Sequence, residues 1–297
     1  MENKKILLFG GTGFLGKKLK PYLEQKSYSV QIVSRFPKSK DDLEFAKLSP
    51  EDFSGIFAVI NLAGEPVASR WTASTKEQLV RSRVDFTKSI LEKIYALPKE
   101  KIPKVWLNSS AVGYYGSSKF RMEPVTEKSK HGEDFLSSLS VAWEESARPL
   151  ESLGTRLVVL RTGIVLERNG GALSKMLPAF QMFAGGKIGT GEQGMSWIHW
   201  EDWVMAVLHL LENPKSSGAY NLVSPNPVSN LEFSETLARV LHRPCFFPVP
   251  EMAISALFGE GSVVITQGQY VLPERLLSEN FSFRFPNLDP AITNLLL

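Results

Sequence analysis

Three glycines, Gly10, Gly13 and Gly16, recur at every third residue after the apolar run Ile6-Leu7-Leu8-Phe9. Gly11, Thr12, Phe14 and Leu15 fill the spaces between them, and Leu15, Leu19, Tyr22 and Leu23 then follow at helical spacing. The order is strand, glycine turn, helix. Glycine lets a backbone turn tightly and lie close against a phosphate, and a helix N-terminus offers unpaired N–H groups at the positive end of its dipole. The chemistry expected of Gly10 to Gly16 is therefore the cradling of a pyrophosphate; the plainer alternative is a tight turn with no ligand. A second group with chemical potential is Ser109-Ser110, which ends the apolar run Val105-Trp106-Leu107-Asn108, with Tyr114-Tyr115 just beyond. Hydroxyls at a strand's carboxyl end can hydrogen-bond a substrate carbonyl or hydroxyl. Ser109, Ser110 and Tyr115 are the catalytic candidates.

A third signal lies at the end of the next strand, Ser29 to Ser34. Dinucleotide sites that accept a free ribose place an acid about 20 residues beyond the glycines. Here the strand ends in Ser34-Arg35, with Lys38 close behind. A carboxylate would repel a 2′-phosphate, whereas a guanidinium can hold it with two hydrogen bonds. The cofactor expected is NADP(H), against the alternative of an ordinary basic surface loop.

The elements that must position these groups alternate. Phe57 to Asn61 reads as a buried strand, and Leu62, Ala63 and Gly64 leave its end on the adenosine and pyrophosphate side. A helix is expected from about 74 to 97, with Gln78 and Arg83 near its start and Arg83 within reach of a cofactor or a substrate. Asp134 is placed to cap a helix running to about 153. Another strand is expected from 155 to 164, with Val165 leaving it at the same edge. This alternation predicts an α/β fold: a Rossmann-type doubly wound parallel sheet with right-handed crossovers. Residues 1–166 would form the NADP-binding domain, completed by strand segments near 196–224. Residues 167–297, rich in glycine and proline, would form a smaller interleaved substrate-side domain.

Bulk properties narrow the function classes. The chain has 297 residues, 34 Lys and Arg against 31 Asp and Glu, a net charge of +3 and 22% charged residues. That balance gives no footprint for nucleic acid or membrane. One cysteine, Cys245, permits no internal disulfide and suits a reducing, cytoplasmic setting. No stretch is apolar enough for a membrane span, the N-terminal run is too short for a signal peptide, and the scattered histidines show no metal-ligand spacing.

With these residues in view, the chain resembles the extended short-chain dehydrogenase/reductase superfamily, and within it an epimerase-like family with a C-terminal extension, formerly labelled cell-division inhibitors. The resemblance runs nearly end to end. It rests on Gly10 to Gly16, Ser34-Arg35, Asn61 to Glu65, Arg70-Trp71, Ser82-Arg83, Ser109 to Gly116, Trp143-Glu144, Arg161 to Leu166, Gly170-Gly171-Ala172, Ser196 to His199 and a tail covering 243–297. It implies NADP contacts at Ser34, Arg35, Leu62, Ala63, Gln78, Arg83 and Val165, a small-molecule substrate, and a homodimer built on the helices at 74–97 and 134–152. One departure stands out. Active superfamily members carry Tyr-x-x-x-Lys on a helix, one turn apart, so that both side chains face the nicotinamide. The corresponding helix here offers Leu136, Leu139, Ser140 and Trp143, while Tyr115-Gly-Ser-Ser-Lys119 falls in a segment that reads as a turn. Tyr114, Glu127 and His199 are further acid–base options, with a packed or capping role favoured for His199, and Glu65 reads as a loop carboxylate with a substrate role as the alternative. Two functions follow. One is an NADP-dependent oxidoreductase or epimerase acting on an unidentified small substrate, a sugar-nucleotide-like compound being one option, with an atypical catalytic centre. The other is a non-catalytic NADPH-binding sensor of the same fold.

Overall fold

The computed structural model describes residues 4–297. Strand β1 (Lys5–Phe9) leads through the glycine turn into helix α1 (Phe14–Gln25), and β2 (Ser29–Ser34) has the expected bounds. A two-residue β3 (Leu43–Glu44) and two 3₁₀ turns precede β4 (Ala58–Asn61). The long helix expected at 74–97 is interrupted. It runs as α2 (Ala73–Val80), a π-helical turn (Arg81–Asp85) and α3 (Phe86–Tyr95). Next come β5 (Val105–Ala111) and α4 (Phe135–Ala147), which Asp134 caps by accepting the Ser137 N–H at 2.8 Å. That helix ends earlier than expected, in a 3₁₀ segment over Arg148–Leu153 with Pro149 in its first turn.

Strand β6 (Arg156–Thr162) is followed by β7 (Ile164–Glu167), α5 (Gly171–Gln181), β8 (Gly194–Met195), β9 (Trp197–His199), α6 (Trp200–Glu212) and β10 (Gly218–Leu222). The chain closes with β11 (Val228–Ser229), α7 (Asn230–Val240), α8 (Glu251–Phe258), α9 (Val263–Thr266), α10 (Glu274–Ser278) and α11 (Leu288–Leu296).

Seven of these strands form one parallel sheet in the order β10-β6-β5-β4-β1-β2-β3. Strand order reverses between β1 and β4, and the crevice at that reversal, off the carboxyl ends, is where such sheets bind ligands. Alternation along β1 divides the core. Ile6 and Leu8 pack on one face with Leu19, Leu23, Trp203 and Val207, and Leu7 and Phe9 pack on the other with Trp106, Ile90 and Ile94. A third cluster joins Leu166, Trp197, Phe233, Leu237, Ile292 and Leu295 beyond the sheet. Among the described residues no helix is long and apolar enough to cross a membrane.

Gly16 shows why the turn is spelled as it is. A Cβ there would lie 2.4 Å from the Gly11 Cα and 2.5 Å from the Gly10 carbonyl oxygen, both backbone atoms. Gly16→Ala is therefore expected to destabilise the fold by about 1–3 kcal/mol through overpacking. Urea unfolding monitored by circular dichroism measures it, and an unchanged midpoint would refute this account of the close approach.

Candidate functional site

The site begins at the glycine turn. Gly10 has φ +73°, and a Cβ on it would sit 2.7 Å from the Leu62 carbonyl, so the turn presses against the loop after β4. Gly13 begins α1 without any side-chain cap. A Cβ there would meet only the Gly10 carbonyl oxygen, at 3.1 Å. No side chain among the described residues caps the leading N–H groups of α1, the arrangement that can accept an anion. The far wall is the β7–α5 connection. The Phe14 ring lies where a Gly170 Cβ would come within 2.6 Å, and Lys18 bonds Glu167 at 3.1 Å. Val165, on β7, is buried. The shape and donor set fit a dinucleotide pyrophosphate. A cavity of about 520 Å³ opens beside the turn, lined by Gly11, Thr12, Ile32 and Lys38 among others.

At the adenosine end, Ser34 Oγ donates to the Phe36 carbonyl, and Arg35 Nη2 donates to Glu65 Oε1 at 2.7 Å. The Glu65 backbone is gripped twice: its N–H donates to Ser82 Oγ at 3.2 Å and its carbonyl accepts from Arg83 Nη2 at 2.7 Å. The π-helical turn brings Ser82 and Arg83 to the same loop residue. Arg83 is buried under the Gly64 backbone and over the Trp143 ring, 5.1 Å from its centroid. Burial lowers its pKa to about 10, which leaves it charged at neutral pH. Gln78 is exposed on α2 and forms no side-chain hydrogen bond within the protein.

Polar residues end the central strands, and the sheet register sets them side by side. Asn61 pairs with Asn108, and Asn61 Nδ2 donates to Asn108 Oδ1 at 3.0 Å and to Thr87 Oγ1 at 3.1 Å. One row further on, Ser110, Arg161 and Asn221 are neighbours on β5, β6 and β10. Arg161 donates twice to Glu144 of α4, at 2.9 and 2.8 Å, and once to Tyr115 Oη, at 3.0 Å. Tyr115 Oη donates to Asn221 Oδ1 at 2.7 Å, and Ser110 Oγ donates to Glu144 Oε1 at 2.6 Å. The Arg161 guanidinium also stacks 3.4 Å from the Tyr114 ring centroid. Burial opposes the Arg161 charge, but the Glu144 carboxylate outweighs it and raises its pKa.

This network gives two of the catalytic candidates, Ser110 and Tyr115, partners within the protein. Burial drives the Tyr115 pKa up to about 12, with Arg161 pulling weakly the other way, and its hydroxyl is already both donor and acceptor. It is poorly suited to trade a proton near neutrality. Lys119 lies outside any helix and pairs with Glu251, so Tyr115 and Lys119 do not form a catalytic pair. The Ser110 hydroxyl is likewise committed. Ser109 differs: it makes no side-chain hydrogen bond among the described residues, and its oxygen is not one of the fully buried orphans. On α4, Leu136 and Ser140 face the loop after β5, 3.4 and 3.9 Å from where a Gly113 Cβ would be, and Ser140 Oγ is spent on the Leu136 carbonyl at 2.8 Å. The helix therefore presents a leucine and a self-satisfied serine where tyrosine and lysine were sought.

His199 is fully buried, caps α6 through Nδ1, and stacks on Phe285 at 4.0 Å. Glu127, its pKa raised by burial, accepts the edge N–H of Asn221 at 3.0 Å. Both are structural in this geometry. Among the described residues no cluster of His, Cys, Asp or Glu could hold a metal ion. A second cavity, about 280 Å³, lies between α2, α4 and the C-terminal segment, with Trp71, Lys76, Leu136 and Gln267 in its wall. The sequence reading missed Glu144 and Arg161 as partners. The available signal was a charge closing an otherwise apolar strand, Leu157-Val158-Val159-Leu160-Arg161.

Two outcomes test this geometry. Arg161→Met leaves the Glu144 carboxylate buried without its charged partner, with only the Ser110 hydroxyl still donating to it, so a loss of about 3–5 kcal/mol is expected in urea unfolding; a loss under about 1 kcal/mol would mean that the pair is solvated. For His199, burial lowers the folded pKa to about 4, against 6.5 unfolded. The unfolded chain takes up a proton below pH 6.5 that the folded chain refuses until about pH 4, so stability falls with pH across that window, by about 3 kcal/mol from this residue. His199→Asn should flatten that part of the stability–pH curve, and an identical slope in both proteins would contradict the assignment.

Comparison with known proteins agrees with this geometry. Residues 6–223 match the NAD dependent epimerase/dehydratase family, and residues 249–295 match a domain of unknown function, DUF1731. The epimerase family protein YfhF of Bacillus subtilis is 36% identical, over 98% of this chain and 97% of its own. The chloroplastic epimerase family protein SDR39U1 homolog of Arabidopsis thaliana is 36% identical, over 97% of this chain and 85% of its own. The crystal structure of human epimerase family protein SDR39U1 (isoform 2) with NADPH superposes with a TM-score of 0.90 at 33% identity, covering 98% of both chains. A glycine turn at the strand-order reversal, a seven-stranded parallel sheet and end-to-end relatives lead to one assignment: the chain belongs to the NAD dependent epimerase/dehydratase family, in the branch that carries a C-terminal DUF1731 domain.

Proposed function

We propose that this protein is an NADP(H)-dependent oxidoreductase or epimerase-like enzyme that acts on an unidentified small substrate, a sugar-nucleotide-like compound being one option. The observation that carries the reading is the uncapped N-terminus of α1 behind the glycine turn, with Arg35 on the adenosine side. The similarity to human SDR39U1, whose structure holds NADPH, supports the choice of cofactor. When bound, the nicotinamide supplies the hydride chemistry. The chain's own residues do the rest. The α1 N–H groups hold the pyrophosphate, Arg35 takes the 2′-phosphate, and Val165 and Phe14 wall the cleft. Ser109 Oγ, free of internal partners, hydrogen-bonds the substrate oxygen. The Ser110–Glu144–Arg161–Tyr115 network holds the end of β5 so that Ser109 stays in place.

A second reading, an NADPH-binding sensor without turnover, draws support from Leu136 and Ser140 standing on the helix where a tyrosine–lysine pair would work. One set of measurements separates the two. Melting temperature is recorded with NADPH, NADP⁺, NADH and NAD⁺, since a ligand that binds only the folded state must raise it. The phosphorylated pair should raise it most, and Arg35→Asp should move that preference towards NADH. NADPH consumption is then followed against a panel of carbonyl compounds and sugar nucleotides. Ser109→Ala should lower turnover about a hundredfold, the scale seen when a positioned donor is lost, with NADPH affinity unchanged. Cofactor binding with no turnover on any compound would favour the sensor.

A further inference from the structure

The end of β2 bears no acid, yet the fold delivers one to that place from another strand. Glu65, on the loop after β4, sets its carboxylate 2.7 Å from Arg35 Nη2. The side chain is not placed there casually. Its N–H and carbonyl are held by Ser82 and Arg83, and Arg83 is itself buried against Gly64. A carboxylate fixed beside the guanidinium that is to receive a phosphate monoester has two effects. It occupies one donor edge, and it adds a negative charge next to a group that carries about −1.5 to −2 at neutral pH. The pair lies in solvent, with side-chain exposures of 69% for Arg35 and 38% for Glu65, so an incoming anion can displace it.

We propose that Glu65 is a specificity-determining residue: it competes with the 2′-phosphate for Arg35 and so weakens NADP(H) binding relative to NAD(H). This rests on the reading of Arg35 as the 2′-phosphate ligand. The ordinary NAD-type site places its acid on β2, where it faces the ribose directly. Here the acid faces the arginine instead, and it tempers a site that the sequence marks as strongly phosphate-selective. The backbone of the same loop residue is bonded by Ser82 and Arg83 of the π-helical turn.

The test is a double-mutant cycle on Arg35→Ala and Glu65→Gln, with NADPH and NADH dissociation constants measured by calorimetry at low and at physiological salt. Both side chains are exposed, and unchanged melting temperatures of the apo variants confirm that the fold is retained. An exposed ion pair corresponds to a factor of about two to five, so Glu65→Gln should tighten NADPH binding about two- to fivefold and leave NADH unchanged. The gain should shrink at higher salt and largely vanish in the Arg35→Ala background. If Arg35→Ala weakens NADPH but Glu65→Gln leaves it unchanged or weakens it, the competition is refuted while the phosphate site stands. If Arg35→Ala leaves NADPH binding untouched, the phosphate site and the competition fall together. Equal tightening of both cofactors would also overturn the proposal, because the effect would not depend on the phosphate.

Discussion

The architecture of this protein depends on one constraint at the carboxyl edge of its sheet: Asn61, Asn108, Arg161 and Asn221 end the central strands in a place largely closed to water, and each is paired with a neighbouring strand, helix or turn. Asn61 and Asn108 join β4 to β5, and Arg161 and Asn221 are joined through Tyr115. An unpaired polar group there would cost about 1–3 kcal/mol and an unpaired charge more. Pairing at these four positions avoids that cost, and it ties the strands to one another and to α4, which supplies Glu144 to the guanidinium and to Ser110. Hydrogen bonds within the protein thereby brace this edge from β4 to β10.

That rigidity decides which side chains are available for chemistry. A tyrosine bound by an arginine and an asparagine, with its pKa pushed up to about 12, is a structural group whatever its position in a motif suggests. Ser109, one residue before the locked Ser110, faces the opposite side of the same strand because side chains alternate along β structure. Its freedom and the commitment of Ser110 are two consequences of one pleat. On α4, Leu136 and Ser140 stand where a helix-borne tyrosine and lysine would be expected.

The C-terminal segment takes part in the cleft rather than trailing from it. Gln267 and Val263 meet Trp71, Lys76 and Leu136 around the smaller cavity. Arg70 Nη1 donates to the Ala256 carbonyl at 2.9 Å and Trp71 pairs with Gly259, so the loop after β4 and the extension hold each other. The π-helical turn works on the same loop from the other side. It carries Ser82 and Arg83, both of which bond the Glu65 backbone.

Much of this was legible in the residues. Glycines three apart between an apolar strand and an amphipathic helix, strands alternating with helices, and the Asp134 cap are local patterns. Local sterics and burial therefore determine them: β1, α1, β2 and the Asp134 cap lie where their own neighbours in sequence require. Chain composition also excluded a disulfide, since there is a single cysteine. What tertiary structure alone decided is pairing across long separations. Nothing near Arg35 in sequence announces Glu65, and nothing near Tyr115 announces Asn221, 106 residues away. The motif-like spacing of Tyr115 and Lys119 dissolved because a 3₁₀ turn and an irregular loop, not a helix, carry it. Sheet register and helix packing bring distant residues within hydrogen-bonding reach, and the desolvation cost of leaving them unpaired then assigns each one its partner and its chemistry.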